Sequence, residues 1–262
     1  MKKITVFITM ALLLSSCGSV PLTGRKQVLL LSDSELVAAS LTQYDAYMKE
    51  ATLSSDRTKT AMVERIGKNI STATETYLKQ NGLESELVNF KWEFKLIKDE
   101  QVNAFCMPGG KIVVYEGLLP LIATDDELAV VIGHEIGHAV AKHSNERMSQ
   151  ELLAQYGSAI LGEALGAQSA AIQSLGNTVF GLGAQIGVML PYSRQHEYEA
   201  DYIGMILMTL AGYNPESTIT FWQKMSAGNS GGNIELLSTH PSDANRIAEL
   251  QKRLPEMAKY KK

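Results

Sequence analysis

Two histidines four residues apart constrain this chain more than any other feature. They open and close the segment His134-Glu135-Ile136-Gly137-His138. Residues at this spacing on an α-helix project from the same face, about 6 Å apart along the axis. Two imidazoles placed in this way can close on a single metal ion, and Glu135 lies beside them, where it can reach an attacking water. The segment therefore predicts a helix that carries a metal site.

The flanking residues support that helix. Thr124 offers a capping hydroxyl, and acidic residues follow it in the first turn, where they suit the positive end of the helix dipole. The apolar periodicity predicts a helix from about Asp125 to His143. Because His143 is five residues beyond His138, we expect it to point away from the metal site and to lie on the surface.

The pattern H-E-x-x-H is typical of zinc peptidases, but a catalytic zinc takes three protein ligands and leaves one position open. We expect the third ligand to be Glu197, with His196 as a competing candidate. Asp201 is four residues after Glu197 on the same helix face, so its carboxylate can accept the spare N–H of a liganding histidine. Glu199 falls on another face, and we expect it to lie in solvent.

Size and charge narrow the class of protein. The 262 residues allow one or two domains, and 45% apolar with 20% charged residues is ordinary for a globular chain. The net charge of -4 and the lack of a long basic run argue against nucleic-acid binding. The two cysteines, Cys17 and Cys106, are too few for a disulfide framework.

The first residues have the pattern of a targeting signal. Two lysines precede an apolar run over 4–14 that is too short to span a bilayer. The run ends in LSSC at 14–17, a pattern typical of bacterial lipoproteins, in which the cysteine carries the lipid. We therefore predict a signal peptide over 1–16, a lipid on Cys17 and a flexible tether over 17–32. The alternative is an ordinary secretory signal with a cysteine nearby by chance.

The rest of the chain predicts mostly helices with a small sheet. Helices are expected at about 34–48, 57–80, 125–143, 194–210, 215–225 and 241–254. Apolar and polar residues alternate over 90–96, and a Pro-Gly-Gly turn precedes a second strand at 111–115. The fold class is therefore α+β and mainly α, with a small antiparallel sheet beside the metal helix, in a single domain over 33–262.

Residues 150–190 are rich in alanine, glycine and leucine. A membrane span is one interpretation, but Glu163 and several glutamines leave no run of about 18 apolar residues. We favour a pair of small-residue helices packed on the core, or a mobile flap over the cleft.

Several motifs occur together in this chain. They are GHEIGH at 133–138, Ser193-Arg194 with Glu197 and Ala200-Asp201, Thr239-His240-Pro241 with Arg246-Ile247, and, before all of these, Asn103-Ala104-Phe105 with Pro108-Gly109-Gly110. In this order they resemble the HtpX-type and CAAX-prenyl-protease group of zinc metallopeptidases, and within it the soluble periplasmic lipoprotein members of the BepA and LoiP type. The resemblance covers about residues 33–255 and implies a zincin-like metallopeptidase core.

The resemblance also implies the roles of the central residues. His134, His138 and Glu197 would bind one Zn2+ per chain, and Asp201 would orient a ligand. Glu135 would be the catalytic acid and base, taking a proton from the attacking water and delivering it to the leaving amine.

Further roles follow from the same resemblance. It places His240 over the active site, where we expect its imidazole to donate to the tetrahedral oxyanion, with Arg246 positioning His240 or the substrate. Alternatively, His240 fills the open zinc position and keeps the enzyme latent, or it begins a helix without touching the metal. We expect Asn103, Ala104 and Phe105 to form an exposed edge strand to which an extended substrate adds by backbone hydrogen bonds.

The leading hypothesis is a zinc metalloendopeptidase that acts on unfolded or misassembled proteins of the bacterial envelope. The substrate class comes from the resemblance alone. A lipid on Cys17 would anchor the enzyme to a membrane facing the periplasm, with the outer membrane favoured. One alternative is a chaperone-like assembly or binding factor with a latent zinc site, and another is a zinc hydrolase of a different small substrate. The change Glu135→Gln separates the first two, because it should leave zinc bound while abolishing proteolysis.

Overall fold

Helices surround a small sheet in the computed structural model, which describes residues 17–156, 193–228, 236–237, 240 and 244–261. The helices are α1 (Asp33–Glu50), α2 (Arg57–Gln80), α3 (Asp125–Val140), α4 (His143–Tyr156), α5 (Arg194–Leu210), α6 (Ser217–Gly228) and α7 (Ala244–Arg253). The strands are β1 (Cys17–Ser19), β2 (Lys26–Val28), β3 (Glu93–Ile97), β4 (Ala104–Met107) and β5 (Lys111–Tyr115). The predicted α+β class is confirmed. The expected signal peptide, and the expected helix pair or flap beyond residue 156, lie outside the described residues.

Two long helices, α2 and α5, begin and end where the sequence predicted. Asp56 caps α2 by accepting a hydrogen bond from the backbone N–H of Lys59, and Ser193 caps α5 in the same way. Apolar residues three and four apart bury one face of α2 against the core. These two helices therefore follow from local signals that the sequence carries.

The metal helix α3 is shorter than predicted. It ends at Val140, because Lys142 adopts a left-handed conformation with φ 57°. The Lys142 Nζ atom pairs at 2.7 Å with Asp33 Oδ2 and at 2.7 Å with Glu86 Oε2, which holds the turn in place. The next helix, α4, begins at His143, and this side chain is 0% exposed. The prediction of a surface His143 is wrong, because the helical period does not continue across the turn.

The sheet beside α3 is mixed. Its strand order is β3-β5-β4, with β4 antiparallel and β3 parallel to β5. The prediction of an antiparallel sheet is thus correct for one pair and wrong for the other. The segment Ile112–Tyr115 is buried throughout, as expected for a central strand. This order leaves β4 at an edge of the sheet, next to α3.

The segment predicted to be a flexible tether, 17–32, is folded. Strands β1 and β2 pair as an antiparallel hairpin, and Val20 between them is 1% exposed within the main core. Arg25, in the same connection, forms ion pairs with Glu146 of α4 and Glu199 of α5. The tether prediction is wrong, because buried side chains such as Val20 and Leu31, together with the ion pairs of Arg25, hold this segment against the rest of the fold.

Helix α3 lies at the centre of the molecule. It packs against α2, α5, α6 and β4, and its residues from Leu128 to His138 are buried. The face with His134, Glu135 and His138 is therefore turned into the interior rather than toward bulk water. Within the described parts of the chain, no helix has the length and apolar character that a membrane crossing requires.

Candidate metal centre

Four side chains from separate parts of the chain converge at one point. They are His134 and His138 of α3, Glu197 of α5, and His240, and one ligand atom of each lies within 4.8 Å of the others. The Nε2 atoms of His134 and His138 are 3.0 Å apart. Glu197 Oε2 is 3.4 Å from His134 Nε2, and Glu197 Oε1 is 3.3 Å from His138 Nε2. The structure thus brings the three predicted ligands together, and His240 with them.

The charges of this site suit a bound cation. The carboxylates of Glu135, Glu197 and Asp201 are all at most 2% exposed, and Arg246 is the buried arginine beside them. Three buried carboxylates face one buried arginine, and a divalent ion bound here would balance negative charge that is costly in the interior. Burial lowers the pKa of His134, but Glu197 and the Asp201 hydrogen bond outweigh that effect and raise it to about 9. Without an ion, a proton on His134 balances part of the negative charge of the carboxylates.

The hydrogen bonds of the two histidines also fit a metal. His134 Nδ1 lies 2.8 Å from Asp201 Oδ1, so it carries the proton and donates to that carboxylate. His138 Nδ1 lies 2.9 Å from His143 Nδ1. When His134 and His138 each carry their proton on Nδ1, the lone pairs of their Nε2 atoms face the same point. Two imidazoles and a carboxylate form a donor set that suits zinc.

Glu135 lies beside this point and is suited to proton transfer. Its side chain is 1% exposed, and among the described residues Oε1 receives no hydrogen bond, although His240 Nε2 is 3.4 Å away. The backbone N–H of Cys106 in β4 donates to the Glu135 carboxylate. Burial raises the pKa of Glu135 above its ordinary value, as expected for a carboxylate that must take up and release a proton.

Arg246 holds the carboxylates behind the converging atoms. Its Nε and Nη2 atoms donate to Asp201 at 2.5 and 2.9 Å, and its Nη1 lies 3.1 Å from Glu197 Oε2. Its guanidinium stacks 3.6 Å from the ring centre of Trp222. Arg246 also donates to the backbone oxygen of His240 at 3.3 Å. The expected contact with His240 is present, and the contacts with Asp201 and Glu197 add a role that the sequence did not suggest.

His240 contacts the converging atoms and is connected by hydrogen bonds to the chain just before β4. His240 Nδ1 is 3.1 Å from His134 Nε2 and 3.1 Å from Glu197 Oε1. Its backbone N–H donates to Leu236 O at 2.8 Å, and the N–H of Leu236 donates to Val102 O, just before β4, at 2.9 Å. In this conformation His240 therefore occupies the fourth corner of the site, and Leu236 occupies a backbone acceptor just before β4.

The predicted substrate-binding residues lie at the β4 edge of the sheet. Ala104 and Phe105 are in β4 and Asn103 precedes it. The expected exposure of these residues is wrong, because their side chains are at most 5% exposed. The backbone N–H of Ala104 donates to the side chain of Asn103 at 2.9 Å. Any recognition by these residues would therefore go through the strand backbone rather than through their side chains.

A second polar cluster behind the site was not foreseen. Glu199, expected in solvent, is 8% exposed and lies 3.0 Å from His143 Nε2, so that expectation is wrong. His196, the competing ligand candidate, instead faces Glu146 Oε2 at 3.1 Å. The repeated spacing His-x-x-Glu, at 143–146 and 196–199, was the available signal. Helix periodicity placed these residues on faces but could not say what those faces meet.

Comparison with known proteins identifies the family. The model of peptidase family M48 matches residues 58–254, a stretch that contains all four converging side chains. The chain belongs to peptidase family M48. The family confirms the predicted class of enzyme, a peptidase, and matching relatives are named as metalloendopeptidases.

Individual relatives come from two groups. The chain is 39% identical to the mitochondrial metalloendopeptidase OMA1 of Schizosaccharomyces pombe over 174 residues, 66% of this chain and 49% of that protein. It is 40% identical to the OMA1 of Arabidopsis thaliana over 170 residues, 64% of this chain and 33% of that protein. The beta-barrel assembly-enhancing protease of Escherichia coli is 30% identical over 179 residues, 65% of this chain and 36% of that protein. This M48 chain thus spans half or less of the length of these relatives.

These matches correct the predicted location. The expectation of a bacterial envelope protein facing the periplasm is wrong, because the OMA1 relatives from fungi, a plant and animals carry mitochondrial names. The expectation depended on a short LSSC pattern at 14–17, which precedes the stretch that the M48 model matches. A pattern of only four residues is too short to predict the location of a protein with much specificity. The expected likeness to BepA-type proteins is present at 30% identity, beside higher identities to OMA1 proteins.

Proposed function

We propose that this chain is a zinc-dependent metalloendopeptidase that hydrolyses peptide bonds in unfolded or misfolded polypeptides. The observation that carries the proposal is the convergence of His134, His138 and Glu197 on one buried point, with the carboxylate of Glu135 beside it. Relatives named as metalloendopeptidases and as a protease support a polypeptide substrate.

The proposed mechanism assigns a task to each of these residues. His134, His138 and Glu197 hold one Zn2+ per chain. When bound, zinc would supply Lewis acidity toward the scissile carbonyl and lower the pKa of a water to about 7. Glu135 takes the proton of the attacking water and delivers it to the leaving amine, and its raised pKa supports both steps. Asp201 holds the ring of His134 in place.

Substrate binding is assigned to the edge of β4. An extended chain would add to this edge through backbone hydrogen bonds, a mode that depends little on side-chain sequence. Because the side chains of Asn103, Ala104 and Phe105 are buried, they would support the strand while its backbone makes the contacts. This mode favours polypeptide in an extended state, which a folded protein rarely exposes.

In the conformation seen here, His240 is assigned a blocking role. Its Nδ1 lies 3.1 Å from His134 Nε2, where the open position of a catalytic zinc site is expected. The same segment bonds to Val102 at the strand edge. This geometry favours the latent alternative over an oxyanion donor. It also supports the second candidate function, a binding factor with a latent zinc site. The lipid on Cys17 stays a prediction from the sequence.

The substitution Glu135→Gln tests the proposed function. The amide keeps the size of the side chain but cannot take up the proton, so zinc content should be unchanged while cleavage of an unfolded casein-type substrate falls to background. Zinc content by metal analysis and peptide release are measured on the same preparations. Glu64→Gln is the matched control, because Glu64 is an exposed residue of α2.

Two outcomes would refute parts of this proposal. Cleavage that survives Glu135→Gln would show that Glu135 is not the acid and base. A wild-type chain that binds zinc and unfolded polypeptide but never cleaves it, even after the His240 segment is displaced, would favour the binding factor.

A further inference from the structure

A second buried cluster of ionisable side chains lies behind the metal centre, and the proposed mechanism does not use it. We call it the clamp cluster; its members are Arg25, His143, Glu146, His196 and Glu199. His143 and Glu146 are three residues apart on α4, and His196 and Glu199 are three apart on α5, so each pair shares a helix face. The four helical side chains are at most 8% exposed. So much buried charge in one place requires a physical reason.

Arg25 is the cation of the clamp cluster. Its Nη1 and Nη2 atoms donate to the two oxygens of Glu146 at 2.8 and 2.6 Å, and its Nε donates to Glu199 Oε2 at 2.6 Å. A single guanidinium from the β1–β2 connection thus holds one carboxylate of α4 and one of α5. Among the described residues, the group that could hold a metal is the one at the metal centre, not the clamp cluster. In the clamp cluster, the guanidinium of Arg25 supplies the positive charge that balances the carboxylates.

The protonation of these groups supports this role. Burial raises the pKa of Glu146, but hydrogen bonds from Arg25 and His196 outweigh it and lower the pKa to about 2. Glu199 accepts hydrogen bonds from Arg25 Nε at 2.6 Å and from the Thr23 hydroxyl at 2.5 Å, as an ionised carboxylate does. Both carboxylates are therefore ionised and able to accept hydrogen bonds.

A chain of hydrogen bonds connects the clamp cluster to the metal centre. His138 must present Nε2 to the ion, so its Nδ1 carries the proton and donates to His143 Nδ1 at 2.9 Å. His143 can accept there only if its own proton is on Nε2, which then donates to Glu199 Oε2 at 3.0 Å. An ionised Glu199, held by Arg25, therefore selects the tautomer of His143, and His143 selects the tautomer of His138.

Each of the two liganding histidines is connected by hydrogen bonds to a carboxylate that an arginine holds, but the connection is direct for one and indirect for the other. His134 donates directly to Asp201, which Arg246 holds. His138 reaches its carboxylate only through His143, and the arginine behind that carboxylate comes from the N-terminal hairpin. An outer partner of a liganding histidine sets its orientation and basicity, and its loss typically reduces metal affinity about 10- to 100-fold.

We propose that Arg25 and His143 are positioning residues of the metal centre, and that docking of the N-terminal hairpin through Arg25 sets the orientation and tautomer of His138. The inference depends on the proposed function, because it assumes that His138 binds the metal. On this inference, the N-terminal hairpin is part of the structure that holds the metal ligands in position. An event that pulls the hairpin away would then weaken metal binding at a distance.

The test measures zinc affinity rather than activity alone. Zinc dissociation constants are determined by competition with a chromophoric chelator for the wild-type chain, Arg25→Ala, His143→Phe and the double variant. Each single change should weaken zinc binding, by about 10- to 100-fold for His143→Phe. The double variant should be no weaker than His143→Phe, because Arg25 acts through His143 and the two effects are not additive.

Controls separate positioning from folding. Lys26→Ala changes an exposed charge of the same hairpin, so it should leave the zinc affinity unchanged. Arg25→Lys keeps the charge but loses the planar fork, and it should recover part of the affinity that Arg25→Ala loses. Thermal unfolding of the metal-free variants shows which of them are folded. If His143→Phe does not fold, the comparison of Arg25→Ala with Arg25→Lys carries the test.

Three results have a defined meaning. If Arg25→Ala lowers the unfolding temperature but leaves the zinc dissociation constant unchanged, the hairpin is only structural and the inference is overturned. If the effects of Arg25→Ala and His143→Phe add in full, Arg25 does not act through His143 and the inference is overturned as well. If the wild-type chain binds no zinc, the proposed function fails first, and the inference falls with it.

Discussion

At the scale of single residues, His240 determines whether the fourth position of the metal site is open or filled. It is 3% exposed and stands between the metal-ligating atoms and Glu135, with Nδ1 facing Glu197 and Nε2 facing Glu135 at 3.4 Å. A residue in this position cannot stay there while a peptide carbonyl approaches the same point. For the proposed reaction, His240 therefore has to leave this point before the substrate binds.

The substitution His240→Ala tests this role. Removing a fourth ligand should weaken zinc binding, yet at saturating zinc the cleavage of unfolded substrate should rise several-fold, because the open position no longer has to be vacated. Initial rates of peptide release are measured against zinc concentration. The double variant of His240→Ala with Glu135→Gln should be inactive. That result would show that the faster cleavage by His240→Ala occurs at the site of Glu135. A fall in kcat with unchanged KM would instead support His240 as an oxyanion donor.

At the scale of elements, the close approach of α3 and α5 builds the metal centre. The two helices meet through glycines: a Cβ on Gly204 would lie 2.8 Å from the backbone of Gly133, and a Cβ on Gly137 would lie 2.6 Å from Ala200 O. Bare backbones in contact bring the face with His134 and His138 against the face with Glu197. The glycines of GHEIGH are thus as important for the site as its histidines.

The substitution Gly204→Ala tests this packing. A methyl group gains about 1 kcal/mol of helix propensity over glycine, but overpacking here should outweigh that gain and destabilise the fold by about 1–3 kcal/mol. Because α3 and α5 would be pushed apart, zinc affinity should fall as well.

Gly67→Ala is the matched control for this change. Its Cβ would meet the ring of Phe94 at 2.3 Å, in the contact between α2 and β3 rather than between α3 and α5, so it should reduce stability but not zinc affinity. Urea unfolding and chelator competition measure the two quantities. Equal losses of zinc affinity in both variants would contradict the packing argument.

At the scale of the whole molecule, the N-terminal hairpin connects parts that are distant in sequence. Arg25 contacts Glu146 at a separation of 121 residues and Glu199 at a separation of 174 residues. Val20 enters the same core as α2, α3 and α5. The folded unit therefore begins before residue 33, where the sequence placed the domain boundary.

The ion pair of Arg25 with Glu146 gives the fold a pH dependence. The folded-state pKa of Glu146 is about 2, below the ordinary value of 4.5, so its contribution to stability is present above about pH 4.5 and is lost as the pH falls toward 2. The difference in unfolding free energy between the wild-type chain and Glu146→Gln should therefore shrink across that range. Denaturant unfolding of the metal-free proteins at several pH values measures it. A difference that stays constant would mean that the pair contributes no such linkage.

Local patterns were enough for several features of this protein. The spacing of His134 and His138, the capped ends of α2 and α5, and the shared face of Glu197 and Asp201 all follow from helix geometry, which acts over a few residues. The predicted ligand set stays a prediction, and its atoms lie within reach of one another.

Other features were decided only by the tertiary structure. The buried positions of His143 and Glu199, the folding of the hairpin around Arg25, and the parallel pairing of β3 with β5 were not predicted. Each depends on a contact between segments far apart in the chain. A periodic pattern tells which residues share a face of one element; what that face meets is decided only when the whole chain has packed.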